Sequence, residues 1–199
     1  MRRPLILAST SRYRRELLER LRLPFDAVPP GVDEAPLAGE SPANLALRLA
    51  SAKAQVVAQR FGSAIVIGSD QVAELDGQAL GKPGTHEAAI AQWQRMRGRA
   101  VRFHTAVAVR CGESGFAQHA MAEIIATCRL VSDAEIERYL RADQPYDCAG
   151  SARSEALGIA MFESIQSDDP TGLIGLPLMR TCALLRAAGL DPIFGTGPT

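Results

Sequence analysis

The sequence predicts a mixed α/β fold in one domain covering residues 1–199. Two observations predict it. Short apolar runs alternate with capped, helix-patterned segments through the first half of the chain. Hairpin signals then break that alternation, at Asp76-Gly77 and at "CGESG" (111–115), so the sheet must be mixed rather than purely parallel. With 47% hydrophobic residues a sizeable core is available, and no internal repeat, low-complexity stretch or long linker divides the chain.

The elements follow in order. Leu5–Ala8 is an apolar run that reads as a buried strand. Ser9, Thr10 and Ser11 follow it, and a helix opens on Arg12, Arg14 and Arg15. "FDAV" (25–28) reads as a second strand, and the Pro- and Gly-rich "PPGVDEAPLAGE" (29–40) as a loop. Ser41 as N-cap and Pro42 at the first helical position start a helix that runs to about Phe61. "AIVIGSD" (64–70) reads as a buried strand ending in polar residues, and 72–80 as a hairpin around Asp76-Gly77. Thr85 caps a helix over 85–96, two β segments cover 100–110 and 116–129, and 132–140 is a capped helix. "ALGIAMFESI" (156–165) reads as a strand, 177–189 as a final amphipathic helix, and "FGTGPT" as a loose tail.

Composition narrows the function. Twenty-two Lys and Arg balance 22 Asp and Glu, so no basic excess points to a nucleic-acid polymer or an anionic membrane. No apolar run reaches membrane-spanning length and no secretory signal is expected. The four cysteines form no C-x-x-C pair and have no histidine at ligand spacing, which fits small buried hydrophobes in a reducing cytoplasm. No Walker motif, no G-x-G-x-x-G after a strand and no Ser-His-Asp arrangement is present, and the three histidines are read as structural.

Three residues break their local pattern. Arg14 shares the apolar helical face of Leu17 and Leu18. It is either a snorkelling stem or an anion ligand beside a hydroxyl cluster and a helix N-terminus, and the hydroxyls favour the anion. Lys53 falls on the inner face of its helix, four after Leu49 and four before Val57, where a lysine needs a phosphate or a carboxylate. Asp70 is placed at the carboxyl end of a buried strand, where open α/β sheets hold their ligands. Asp33 and Glu34 add carboxylates from the 29–40 loop, and Lys82 a cation past the hairpin. Cations, hydroxyls and carboxylates together suit phosphoryl chemistry on a nucleotide with a hard divalent metal.

Ordered motifs carry a resemblance over nearly the whole chain: "LILASTSRYRRELL", "VDE", Ala52-Lys53-Ala54, "IGSDQV", "GKP", "CAGSARSEALG" and "GLIGLPL". The chain resembles the Maf-like nucleoside triphosphate pyrophosphatases, and on "STSRYRR", "GSDQV" and "AGSARSEALG" its 7-methyl-GTP branch. The resemblance implies an elongated two-lobed fold similar to the inosine triphosphatase type, with a central cleft. It implies hydrolysis of a nucleoside triphosphate to the monophosphate and pyrophosphate, with Mg²⁺ or Mn²⁺, in removal of modified nucleotides. Asp70 is then the catalytic carboxylate. Ser9, Arg14, Lys53 and Lys82 bind substrate, Glu34 and Asp70 hold the metal, and Tyr13, Gln71 and Glu155 set specificity. The partner is a small nucleotide, with a homodimer left open. Alternatives are a dTTP/UTP pyrophosphatase of the same family and a non-hydrolytic nucleotide-binding regulator of cell division.

The sequence departs from the family's S-P-R-R pattern, with Arg12 where Pro is usual. Tyr13 stands where the dTTP/UTP branch has Arg and the methyl-GTP branch often has Trp. An aromatic face attracts the cationic ring of N7-methylguanine by about 0.5–2 kcal/mol, and Glu155 can accept from guanine N1 and N2 donors.

Overall fold

The structure is a computed structural model and describes Arg3–Gly195. In chain order the strands are β1 (Leu5–Ala8), β2 (Asp26–Ala27), β3 (Ile65–Leu75), β4 (Gln78–Leu80), β5 (Ala100–Cys111), β6 (Phe116–Cys128) and β7 (Phe162–Ser167). The helices are α1 (Arg12–Glu19), α2 (Pro42–Arg60), α3 (His86–Met96), α4 (Asp133–Asp143) and α5 (Leu178–Ala187). One mixed sheet joins the strands in the order β2-β1-β3-β5-β6-β7, with β4 added on β3. The two pairs made by β1 are parallel and all the others antiparallel. The mixed α/β class and both hairpins are as the sequence predicts. Asp76 and Gly77 both take positive φ (53° and 76°), which a tight hairpin turn demands.

Caps fix the helix starts. The side chains of Ser11, Ser41 and Thr85 accept from the backbone N–H three residues on, and Ser132 forms a reciprocal capping box with Glu135.

The long strands β3, β5 and β6 support three apolar clusters. On one face α2 packs Leu45, Leu49, Ala54 and Val57 over Val66, Ala106 and Ala108. On the opposite face α1 and α5 pack against Ile65, Ile67, Val107 and Val109 at one end of the strands. At the other end, α3 and α4 bring Trp93, Ile136 and Tyr139 to Leu75, Phe103 and Ile124. The approach of α2 is close: a Cβ on Gly68 of β3 would sit 2.3 Å from the Ala50 carbonyl oxygen and 2.5 Å from the Ala54 nitrogen. No described helix is long and apolar enough to cross a membrane.

Three sequence expectations need correction. β3 does not stop at Asp70 but runs on to Leu75, so Asp70 is mid-strand, because β5 pairs with β3 from Val66 through Glu74. The "FDAV" strand shrinks to Asp26–Ala27, ended by Pro29 and Pro30, which cannot donate to a ladder. Of 156–165 only the last four residues are strand, which begins at Phe162 and runs on to Ser167. Leu157–Met161 forms a 3₁₀ turn in which the Gly158 N–H donates to Asp143 Oδ2 (3.0 Å), diverting the backbone from a ladder. Of the tail, Phe194 and Gly195 belong to a turn closed by an Asp191–Gly195 bridge, and residues 196–199 lie outside the described residues.

Candidate active site

The cleft lies where one edge of β3 lacks a neighbour. On that edge β1 pairs with β3 up to Gly68, and β4 pairs from Ala73 onward. No described strand covers Ser69–Val72 between them. A cleft of about 660 Å³ opens over this window, lined by residues from the Ser9–Ser11 turn after β1, α1, α2, β3, the 29–40 loop, β4 and the two residues after it, and the 147–149 segment.

Lys53 is its centre. The close seating of α2 on Gly68 brings this lysine inward, and it is only 4% exposed. Its Nζ lies 2.6 Å from Asp70 Oδ1 and 2.5 Å from Glu34 Oε1. A buried ammonium is costly unless paired, and here two carboxylates share it. Asp70 is buried, whereas Glu34, in the middle of its loop, is more than half exposed. Burial pushes the Glu34 carboxyl up, but Lys53, with Lys82 and Arg14 further off, outweighs this and holds it below the usual carboxylate range. Asp33 does not join the group: its Oδ1 accepts the Ala35 N–H (3.0 Å).

The hydroxyl and arginine cluster after β1 lines the same cleft. Ser9 is buried and its Oγ accepts the Ser11 N–H (3.1 Å). Arg14 is half-buried, and its Nε donates to the Gly175 carbonyl (2.9 Å), which also accepts from Ser69 Oγ (3.1 Å). Burial lowers the Arg14 pKa while Asp70 and Glu34 raise it, so the guanidinium faces both carboxylates and keeps its charge. Neither predicted role of Arg14 is sufficient alone, because the side chain also ties α1 to the "GLIGLPL" turn. Lys82 is exposed at the rim, past β4.

Tyr13 lies in the first turn of α1, only 9% exposed. Its hydroxyl accepts from Arg12 Nη2 (2.7 Å) and donates to Asp147 Oδ1 (3.3 Å). Burial pushes its pKa to about 12, against the Arg12 hydrogen bond, so the phenol stays protonated at neutral pH. Two guanidinium groups flank the ring, with Arg12 Cζ 4.7 Å and Arg153 Cζ 5.6 Å from its centroid. Gln71 lines the cleft, but its Nε2 is committed to Thr105 Oγ1 and to the Gly172 and Leu173 carbonyls, at 2.9–3.0 Å. Its Oε1 is the atom left for a ligand.

The structure therefore brings Ser9, Tyr13, Arg14, Glu34, Lys53, Asp70, Gln71 and Lys82 to one cleft. Glu155 is not on its wall; its Oε1 lies 3.4 Å from Arg153 Nε. Sequence reasoning missed Asp147 and Arg153 as neighbours of Tyr13, although both fall within or beside the "CAGSARSEALG" motif. None of the three histidines lines the cleft.

The donor set bears on a metal ion. Among the described residues no group of three or more His, Cys, Asp or Glu side chains is placed to hold one. Glu34 and Asp70 nevertheless meet the same cation, so a single ion can reach both. Two carboxylates completed by substrate phosphates are the usual protein share of a Mg²⁺ site. The residues fit such an ion arriving with a nucleotide rather than a pre-built cage.

Comparison with known proteins places the chain in a family. Residues 4–188 match the family described as Maf-like protein. A 7-methyl-GTP pyrophosphatase of Albidiferax ferrireducens is 63% identical over 190 residues, covering 96% of both chains. One from a Polaromonas species is 63% identical over 188 residues, covering 94% of this chain and 86% of that protein. One from Bordetella pertussis is 56% identical over 193 residues, covering 96% and 95%. A match of this length settles the family: the chain belongs to the Maf-like proteins.

Proposed function

We propose that the chain hydrolyses 7-methyl-GTP to 7-methyl-GMP and pyrophosphate. The observation that carries this reading is the buried Lys53 held between Asp70 and Glu34, under Arg14, in a cleft wide enough for a nucleotide. The names of the relatives supply the bond and the base.

In this reading Arg14, Lys82 and the first N–H groups of α1 seat the triphosphate, and Ser9 adds a hydroxyl donor. Asp70 accepts the proton of the attacking water through Oδ2, since its Oδ1 is taken by Lys53. Lys53 and Arg14 then face the charge that develops on the α-phosphate and on the leaving pyrophosphate. Glu34 and Asp70 would hold a divalent metal, Mg²⁺ or Mn²⁺, which when bound neutralises phosphate charge and lowers the pKa of water.

Tyr13 presents an aromatic face whose present company is cationic, from Arg12 and Arg153. That is the partner type a methylated guanine offers, and such a base would take the place of a guanidinium. Gln71 Oε1, and Glu155 once released by Arg153, supply acceptors for guanine N1 and N2 donors. The four free cysteines support a reducing compartment, and so a cytoplasmic enzyme.

The test is pyrophosphate release with Mg²⁺ or Mn²⁺ across 7-methyl-GTP, GTP, dTTP, UTP, CTP and ATP. Preference for 7-methyl-GTP over GTP is expected. Preference for dTTP or UTP would overturn the base assignment and leave the phosphoryl chemistry standing. Binding without release from any of them would overturn the enzymatic reading.

A further inference from the structure

Glu34 is held by little of its own. It sits in the 29–41 loop between β2 and α2, among Pro29, Pro30, Gly31, Pro36 and Gly39, and its side chain is 55% exposed. Three side chains of α2 reach that loop: Arg60 Nη1 donates to the Pro29 carbonyl (3.5 Å) at its start, and two others hold the stretch around Glu34. Lys53 takes the Glu34 carboxylate itself (2.5 Å).

Arg48, five residues earlier on α2, takes the chain that follows. Its Nη2 donates to the Ala35 carbonyl (2.9 Å). Its Nε and Nη2 also form a two-point pair with Glu40 Oε1 (2.6 Å) and Oε2 (2.8 Å). Glu40 Oε2 accepts the Leu37 N–H as well (3.0 Å), and the Glu40 N–H returns to the Leu37 carbonyl (3.0 Å). The segment Ala35–Glu40 is thus closed on the Arg48 guanidinium, which lysine could not match because it lacks the planar fork. Arg48 does not line the cleft.

We infer that Arg48 is a positioning residue: it sets the place of Glu34 against Lys53 and Asp70 by gripping the main chain at Ala35 and the side chain of Glu40. The inference rests on the proposed role of Glu34. It assigns to a residue outside the cleft a share in assembling the carboxylate pair inside it.

A double-mutant cycle tests it, with Arg48→Ala, Glu34→Gln and the two combined, read as kcat/KM for 7-methyl-GTP. Arg48→Ala is expected to cost about 10- to 100-fold in the native background, the range for residues that orient a ligand-bearing side chain. It is expected to cost little more once Glu34 is already Gln. An equal fold-loss in both backgrounds would overturn the inference, because a merely structural role does not depend on Glu34. Arg48→Lys should recover part of the loss, and it carries the cycle if the alanine variant fails to fold. Hydrogen exchange gives an arm independent of turnover. The Ala35 and Leu37 amides should exchange faster in Arg48→Lys and Arg48→Ala while β3 is unchanged, and unaltered exchange there would overturn the inference whatever the activity. Absence of turnover in the native protein would refute the functional reading alone, and the same cycle is then read as 7-methyl-GTP affinity by calorimetry.

Discussion

Lys53→Met should be more damaging to stability than Asp70→Asn, although the two residues share one ion pair. The reason is an asymmetry in partners. Lys53 has two carboxylates, whereas Asp70 accepts a side-chain hydrogen bond from Lys53 alone among the described residues. Removing Lys53 strands a carboxylate that is 7% exposed. Breaking a buried pair in this way costs about 3–5 kcal/mol, and the lower end applies because the Arg14 guanidinium still faces Asp70. For a chain of 199 residues about 3 kcal/mol corresponds to a fall of roughly 6–12 °C in Tm.

Asp70→Asn keeps the shape and an acceptor oxygen, and leaves Lys53 its Glu34 partner, so about 1–2 kcal/mol is expected. The double variant removes the stranded charge and should unfold at a higher temperature than Lys53→Met. Urea and thermal unfolding of the three variants give the comparison. A double variant whose loss equals the sum of the single losses refutes the reasoning, since it would mean that the two charges do not depend on each other. Turnover should not follow stability. Asp70→Asn is expected to lose about 10²- to 10⁴-fold in kcat as the more stable variant, and near-normal turnover would remove Asp70 as proton acceptor.

Three further outcomes follow from other contacts. Gly68→Ala forces a methyl group against the Ala50 carbonyl and the Ala54 nitrogen, so α2 must move; a loss of about 1–3 kcal/mol in urea unfolding is expected, with reduced turnover because Lys53 moves with the helix. Arg153→Met removes a cation 5.6 Å from the Tyr13 ring; the ratio of kcat/KM for 7-methyl-GTP over GTP should rise by about 2- to 5-fold, and an unchanged ratio would remove Tyr13 as reader of the charged base. Arg48, aided by the Leu37 N–H, holds the Glu40 carboxyl down to about 2, from an ordinary value of 4.5. The stability this pair adds is therefore complete above pH 4.5 and is lost as pH falls toward 2, so the Tm advantage of the native protein over Glu40→Gln should shrink across that window.

What was legible in the sequence was local. N-caps, the Asp-Gly hairpin and the inward phase of Lys53 depend on neighbours within a few residues, and each is where the pattern places it. Arg14 and Asp70 were visible as conflicts between residue type and position. What was hidden depends on residues far along the chain. Tyr13 meets Asp147 and Arg153 only in the fold. Arg48 looks like any charged residue on an amphipathic helix until Ala35 and Glu40 fold back on it. The true length of β3 was hidden because Ser69, Asp70 and Gln71 are poor strand formers, held extended by their pairing with β5.

That last error explains why the site exists. A carboxylate at a strand end would be free to turn toward solvent. Asp70 instead sits within a strand whose far edge is fully paired with β5, while its near edge has β1 behind it and β4 ahead of it. β1 arrives parallel and must leave at Ala8 to enter α1, and β4 arrives antiparallel from the hairpin and reaches back only to Ala73. Neither can cover Ser69–Val72 without a change of direction or a longer hairpin. The window is thus a consequence of two pairing modes meeting on one edge. It brings the hydroxyls and arginines that follow β1, the lysine past β4 and the inward lysine of α2 around a rigid central carboxylate. Extending β4 by two residues toward Gln71, with the hairpin lengthened to match, should close the window and abolish nucleotide binding while leaving the sheet intact.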